Sequence, residues 1–280
     1  MSNLLQRIIT GVLGATFMLF GIWFNYISFV SIFFLVNIFS VYEYFQLLKK
    51  SNIGANATVG ILAGITIFVL FVLYDHYLPI STGILFVATC LLFMILMLVE
   101  LFSMNEQPLS RVAYTIFGIL YISIPLSLLT RIPLDYHSVG IHDSSPIYRF
   151  EIIYAILFLI WANDVGAYFA GKYLGKHKLF ERISPKKTWE GSVGGLLTAI
   201  LFTYLLYIYI GIFSIPVWIG LCIVTVIAGS LGDLVESMIK RALNVKDSGT
   251  LLPGHGGFLD RFDALIFAIP FIYLYLNITT

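Results

Sequence analysis

Between Ser237 and Asp263 the chain reads SMIKRALNVKDSGTLLPGHGGFLDRFD, crowding Lys240, Arg241, Lys246, Asp247, His255, Asp260, Arg261 and Asp263 into one short segment. Asp260 and Asp263 stand three apart at the start of an apolar run, and Asp233 and Glu236 three apart at the end of another, so each pair projects from one helical face. Two such faces meeting would assemble an oxygen-rich pocket. Hard cations such as magnesium take carboxylate oxygens and leave remaining positions to water or phosphate. Each pair alone also fits a simpler role: Asp260 and Asp263 complement a helix dipole, while Asp233 and Glu236 pair with Lys240 and Arg241. Their joint occurrence beside a basic loop favours the chemical role. Lys186, Lys187, Lys240, Arg241, Lys246 and Arg261 form the complement, able to hold several phosphates, Arg as a fork and Lys as a mobile point charge. In the turn Pro253-Gly254-His255-Gly256-Gly257, glycines let backbone amides approach an anion, although such a sequence also marks ordinary turns. His255 has three open roles there: phosphate contact, proton relay or turn cap.

These charges are exceptional in their setting. The 280 residues are 59% hydrophobic and 11% charged, with a mean hydropathy of +0.95, against roughly 25% charged in soluble domains. A bilayer core of about 30 Å needs about 20 apolar residues per helix. That length divides the chain into nine segments, at 7–24, 26–45, 53–74, 78–99, 112–130, 151–171, 192–213, 217–238 and 259–277. The expected class is an all-α polytopic membrane protein, with tight helical hairpins at Asn25 and at Ser214–Pro216. The first apolar run is long and has no obvious small-residue cleavage site, so it reads as a retained first helix. Residues 1–135 hold the first five spans, and 150–280 the last four with their cytoplasmic loops, in a single membrane-embedded unit. Cys90 and Cys222 both lie in apolar runs and read as small packing residues. The small residues of GAYFAGKYLG, 166–175, suit close helix packing.

With the N-terminus inside, every one of the 16 basic residues except Arg131 and Arg149 falls on the cytoplasmic side, an N-in, C-out orientation. This bias accounts for Lys49 and Lys50 and part of Lys172, Lys176 and Lys178. In the same topology Asp164, Glu190, Asp233, Glu236, Asp260 and Asp263 converge near the cytoplasmic edge. Ionisable groups there are costly unless they face water or cations, which makes their clustering a functional signal. Glu43, near Lys49 and Lys50, reads as an interfacial residue.

The series Ser237-Met-Ile-Lys-Arg, Lys246-Asp247, Gly249, Leu252-Pro253, His255-Gly-Gly-Phe and Asp260-Arg-Phe-Asp263 resembles the signature of the phosphatidate cytidylyltransferases, or CDP-diacylglycerol synthases. A second block, Asp164-Val-Gly-Ala-Tyr-Phe-Ala-Gly through Ser184-Pro-Lys-Lys-Thr-Trp-Glu-Gly191, resembles the nucleotide-associated region of the same family. The N-terminal half matches only as a run of spans. The resemblance implies transfer of a cytidylyl group from CTP to phosphatidate, giving CDP-diacylglycerol and pyrophosphate. It implies magnesium held by Asp233, Asp260 and Asp263, with potassium as a candidate second cation. Lys240, Arg241 and Arg261 join these acids as catalytic residues. Asp164, Lys186, Lys187, Glu190, Ser237, Lys246, Asp247, His255, Gly256 and Gly257 are the expected substrate contacts. A homodimer in the cell (inner) membrane, with the site facing the cytoplasm and no nucleic-acid partner, completes the expectation. Two rivals remain: a CTP-dependent lipid kinase of the polyprenol or phytol type, and a cation transporter whose acids line a path.

Overall fold

The computed structural model of the chain describes residues 3–76, 82–135, 147–249, 251 and 256–279. The helices are α1 (Asn3–Phe24), α2 (Tyr26–Lys50), α3 (Ala57–His76), α4 (Thr82–Phe102), α5 (Pro108–Gly118), α6 (Ile124–Leu129), α7 (Phe150–Leu174), α8 (Trp189–Ile210), α9 (Ile215–Ala242) and α10 (Leu259–Thr279). Among the described residues, eight helical stretches are long and apolar enough to cross a membrane, and Ile9–Phe24 of α1 forms a shorter apolar helix. The all-α, multi-pass class therefore holds. Two short antiparallel hairpins add to it: β1 (Leu134–Asp135) with β2 (Ile147–Tyr148), and β3 (Lys178–Phe180) with β4 (Ser184–Thr188).

Helix ends differ from the apolar runs where polar residues extend or cap them. Asn25 caps α2, accepting from the Ser28 amide at 2.8 Å, while the Ser28 hydroxyl accepts from the Asn25 amide at 3.2 Å. This reciprocal cap makes the tight first hairpin. Between α5 and α6 the helix widens into a π turn, Ile119–Ser123, in which the Ile124 amide reaches back five residues to the Ile119 carbonyl. Pro125 follows directly, and its ring and missing N–H are what an uninterrupted α-helix does not accommodate. Helix α9 runs to Ala242, past the predicted 238, so Lys240 and Arg241 sit in its last turn, where cations complement the dipole.

The chain forms two compact units, the first Met1–Tyr148 with Leu243–Arg261 and the second Arg149–Ala242 with Phe262–Thr280. In the first, Ala63, Ile67, Leu96, Val112 and Ile119 build a core from α3, α4, α5 and the π turn. Glu100 is buried beside it and accepts from Arg111 Nε at 3.2 and 3.1 Å, from Asn56 Nδ2 at 3.2 Å and from the Ser103 hydroxyl at 2.9 Å. Tyr148 donates its hydroxyl to the Ile22 carbonyl at 2.6 Å and packs against Tyr26 and Phe29, pinning the α1–α2 hairpin. The segment Leu243–Arg261, grouped by sequence with the C-terminal spans, packs within this unit because its partners lie on α2 and just beyond it. The Ser51 hydroxyl donates to the Leu243 carbonyl at 3.0 Å, and Phe39 stacks on Phe258 at 4.9 Å.

In the second unit α7 and α8 lie backbone-close. A Cβ on Gly166 would strike Thr198, one on Gly194 would strike Ala170, and one on Gly195 would strike Asn163. The small-residue reading of 166–175 is thus realised as helix packing. Helices α9 and α10 meet through Gly220, which lies under the Tyr275 ring, and through Gly232, where a Cβ would sit 2.6 Å from Phe267 Cβ and 2.8 Å from the Asp263 carbonyl. The Tyr275 hydroxyl donates to the Val217 carbonyl at 3.1 Å and fixes the register. Cys222 is fully buried in α9 and carries no disulfide, in keeping with a packing role.

Candidate active site

Within the second unit the close approach at Gly232 decides where the acids go. Its neighbour Asp233 comes within electrostatic range of Asp263 on α10 and of Asp164 on α7. Lys187 crosses from β4 to meet Asp233, Nζ to Oδ2 at 2.6 Å, and the Ser237 hydroxyl donates to Asp233 Oδ1 at 3.3 Å. Lys240 pairs with the buried Glu236 one turn away at 2.5 Å and lies within electrostatic range of Asp263. The simpler alternative of intrahelical pairing is seen for Glu236. Asp233 instead takes its cation from another element.

The hairpin β3–β4 aims Lys187. Thr188 ends β4 and caps α8, its hydroxyl oxygen accepting from the Gly191 amide at 3.1 Å. Alternation along the strand leaves Lys186 exposed on the opposite face. Glu190 anchors the hairpin base: its carboxylate accepts from the Lys176 amide at 3.1 Å and the His177 amide at 3.2 Å, and meets His177 Nδ1 at 2.6 Å. Sequence placed Glu190 with the substrate contacts. Its carboxylate accepts from two exposed backbone amides at the helix-to-strand turn and so fixes that turn to the start of α8.

The signature loop is built separately, within the first unit. Asp260 Oδ2 accepts from the Ser248 amide at 2.9 Å and the Gly257 amide at 3.0 Å, and the Ser248 hydroxyl oxygen accepts from the Asp260 amide at 3.3 Å. These bonds tie the two ends of the loop together. Gly256 has φ +85, a conformation open to glycine and strained for other residues. Lys246, Asp247, Arg241 and Arg261 are exposed. His255, Pro253 and Gly254 lie outside the described residues.

Glu43, read from the sequence only as an interfacial residue near the inner end of α2, is enclosed by protein at 2% exposure. Its Oε2 accepts from the Leu259 amide at 3.0 Å and from the Ser248 hydroxyl at 3.4 Å. The sequence held one usable signal, an acid inside an otherwise apolar span.

The donor chemistry of the second unit fits a hard cation: the carboxylates of Asp164, Asp233 and Asp263 crowd one region and face Lys187 and Lys240. Among the described residues no three His, Cys, Asp or Glu side chains close into a ready-made cage. One or two of these carboxylates could hold such a cation, with the remaining positions left to water and phosphate.

Apolar spans holding paired carboxylates and lysines define a polytopic membrane protein whose polar centre is suited to phosphate chemistry. Comparison with known proteins narrows that class. The chain matches the cytidylyltransferase family over residues 5–279 and belongs to it. It is 32% identical to the phosphatidate cytidylyltransferase of Bacillus subtilis (strain 168), over 99% of this chain and 98% of that protein. It is also 34% identical to the phosphatidate cytidylyltransferase of Staphylococcus aureus (strain COL), over 86% and 87% of the two chains. With that of Staphylococcus saprophyticus it shares 39% identity over 65% of each.

Proposed function

We propose that this chain transfers the cytidylyl group of CTP to phosphatidate, giving CDP-diacylglycerol and pyrophosphate. The observation that carries the reading is the Lys187–Asp233 pair at 2.6 Å beside Asp263, in a chain that matches the cytidylyltransferase family along nearly its whole length. In the reaction an anionic phosphatidate oxygen attacks the α-phosphorus of CTP. The new P–O bond forms as the bond from that phosphorus to the β-bridging oxygen breaks, and pyrophosphate leaves with the electron pair. Because the attacking oxygen is already anionic, no strong general base is needed, and catalysis rests on positioning and charge neutralisation.

Lys187, oriented by Asp233, and Lys240, oriented by Glu236, present ammonium groups to phosphate. The exposed Lys186, Arg241, Lys246 and Arg261 add charge to draw in CTP and pyrophosphate. Asp233 and Asp263 are the proposed magnesium ligands. A bound magnesium ion neutralises charge on phosphate oxygens. Asp260 belongs to the proposed cation set through its family match, potassium is the proposed second cation, Ser237 supports Asp233 by donating to it, and Asp164 shares the Lys187 charge with Asp233. The protein is proposed to act as a homodimer in the cell membrane with its site facing the cytoplasm, where CTP is present and the phosphatidate headgroup lies at the interface.

The test is purified protein in liposomes with magnesium, phosphatidate and CTP labelled at either phosphorus. Label from the α-phosphate is expected in lipid. Label from the γ-phosphate in lipid would mean a kinase, and cation flux without any lipid product would mean a transporter. Asp260→Asn is expected to lower turnover at least tenfold, and near-normal turnover in folded protein removes Asp260 from the cation set.

A further inference from the structure

We infer that Glu43 of α2 is a positioning residue for the reaction, acting through the clamp that closes the signature loop on Asp260. The inference rests on the proposed cytidylyl transfer for its kinetic consequence, while the clamp stands on geometry alone. A carboxylate at 2% exposure is costly to bury and needs compensating donors. Glu43 Oε2 finds its donors in the loop, while Oε1 is buried with no hydrogen-bond partner among the described residues. The Leu259 amide opens α10 and belongs to the first-turn N–H groups that have no partner inside a helix. Such groups are usually capped by a neighbour in sequence; here the acceptor lies 216 residues away.

The same oxygen accepts from the Ser248 hydroxyl, whose oxygen accepts from the Asp260 amide, and Ser248 donates its own amide to Asp260. Glu43 therefore fixes the residue that fixes Asp260. Phe39, one turn earlier on α2, stacks on Phe258 and holds the adjoining residue from the same helix. Packing shows how tightly the loop is fitted to this carboxylate. A Cβ at Gly249 would collide with Glu43 Oε1, and one at Gly257 would collide with Glu43 Oε2 and the Ser248 hydroxyl. At Gly257 a Cβ would also press on the Gly249 backbone amide at 2.8 Å, so the space beside the Glu43 carboxylate has room only for a glycine without displacement of its neighbours.

The experiment compares Glu43→Ala and Glu43→Gln in purified full-length protein, by steady-state kinetics and by amide hydrogen exchange over 243–261. For Glu43→Ala the expected result is a kcat at least tenfold lower with the KM for CTP and for phosphatidate within threefold of wild type. Exchange at 248 and 257–260 should quicken while that of α7 and α8 stays unchanged. Glu43→Gln keeps an acceptor oxygen for the Leu259 amide and is expected to return kcat to within threefold of wild type. Normal kcat or unaltered loop exchange in Glu43→Ala overturns the inference. A Gln variant as impaired as Ala, with the loop still protected, also overturns it, because the charge itself would then be acting. Should Glu43→Ala fail to fold, Ser248→Ala cuts the link to Asp260 while sparing the Glu43–Leu259 bond, and the same kinetic and exchange signature is expected. Exchange is read without turnover, so an inactive wild-type chain would refute the proposed activity and leave the clamp separately testable.

Discussion

Single residues differ here in whether their charge serves stability or chemistry. Lys187 and Asp233 are 28% and 43% exposed at the side chain, and a pair that open contributes under about 1 kcal/mol to folding. Lys187→Met is therefore expected to leave thermal unfolding nearly unchanged. Turnover should fall about 100-fold, or about 2.7 kcal/mol of transition-state stabilisation. Activity and melting measured on one preparation check this, and parallel losses of both would mark Lys187 as structural. Glu190 lies at the other extreme, with its carboxylate committed to the amides of Lys176 and His177.

At the level of elements, small residues determine which charged groups meet. Gly232 and Gly229 lie one turn apart on α9 and face α10 differently. A Cβ at Gly232 would press on Phe267 Cβ at 2.6 Å and on the Asp263 carbonyl at 2.8 Å, whereas one at Gly229 would make an ordinary contact with Ala264 at 3.7 Å. Gly232→Ala is expected to push α9 from α10, costing about 1–3 kcal/mol and separating Asp233 from Asp263, with activity lost. Gly229→Ala should melt and turn over like wild type. Thermal unfolding in detergent with a lipid-product assay distinguishes the two. Helix spans were legible from apolar length, and close packing of 166–175 from its glycines. The β3–β4 hairpin was not, because strands this short carry too little hydrophobic pattern to stand out from a polar loop.

For the molecule as a whole, the basic residues argue for an N-in, C-out orientation. In a background lacking Cys90 and Cys222, Lys246→Cys is expected to react with a membrane-impermeant thiol reagent from the cytoplasmic face only, and Ser214→Cys from the outer face only. Both positions are exposed. Labelling of both from one face would refute the topology. Cross-linking in native membranes tests the proposed homodimer.

Sequence alone determined the membrane class, the run of spans, the family signature and the concentration of acids and bases in the C-terminal part. These follow from composition and short-range spacing, which hydropathy and helical periodicity read directly. Tertiary structure decided which charges meet. Lys187 reaches Asp233 from a different element, Glu190 turns to backbone, and Glu43 closes on Ser248 and Leu259 from 205 and 216 residues away. A buried carboxylate must find donors wherever the fold supplies them, and local sequence carries no record of donors so distant.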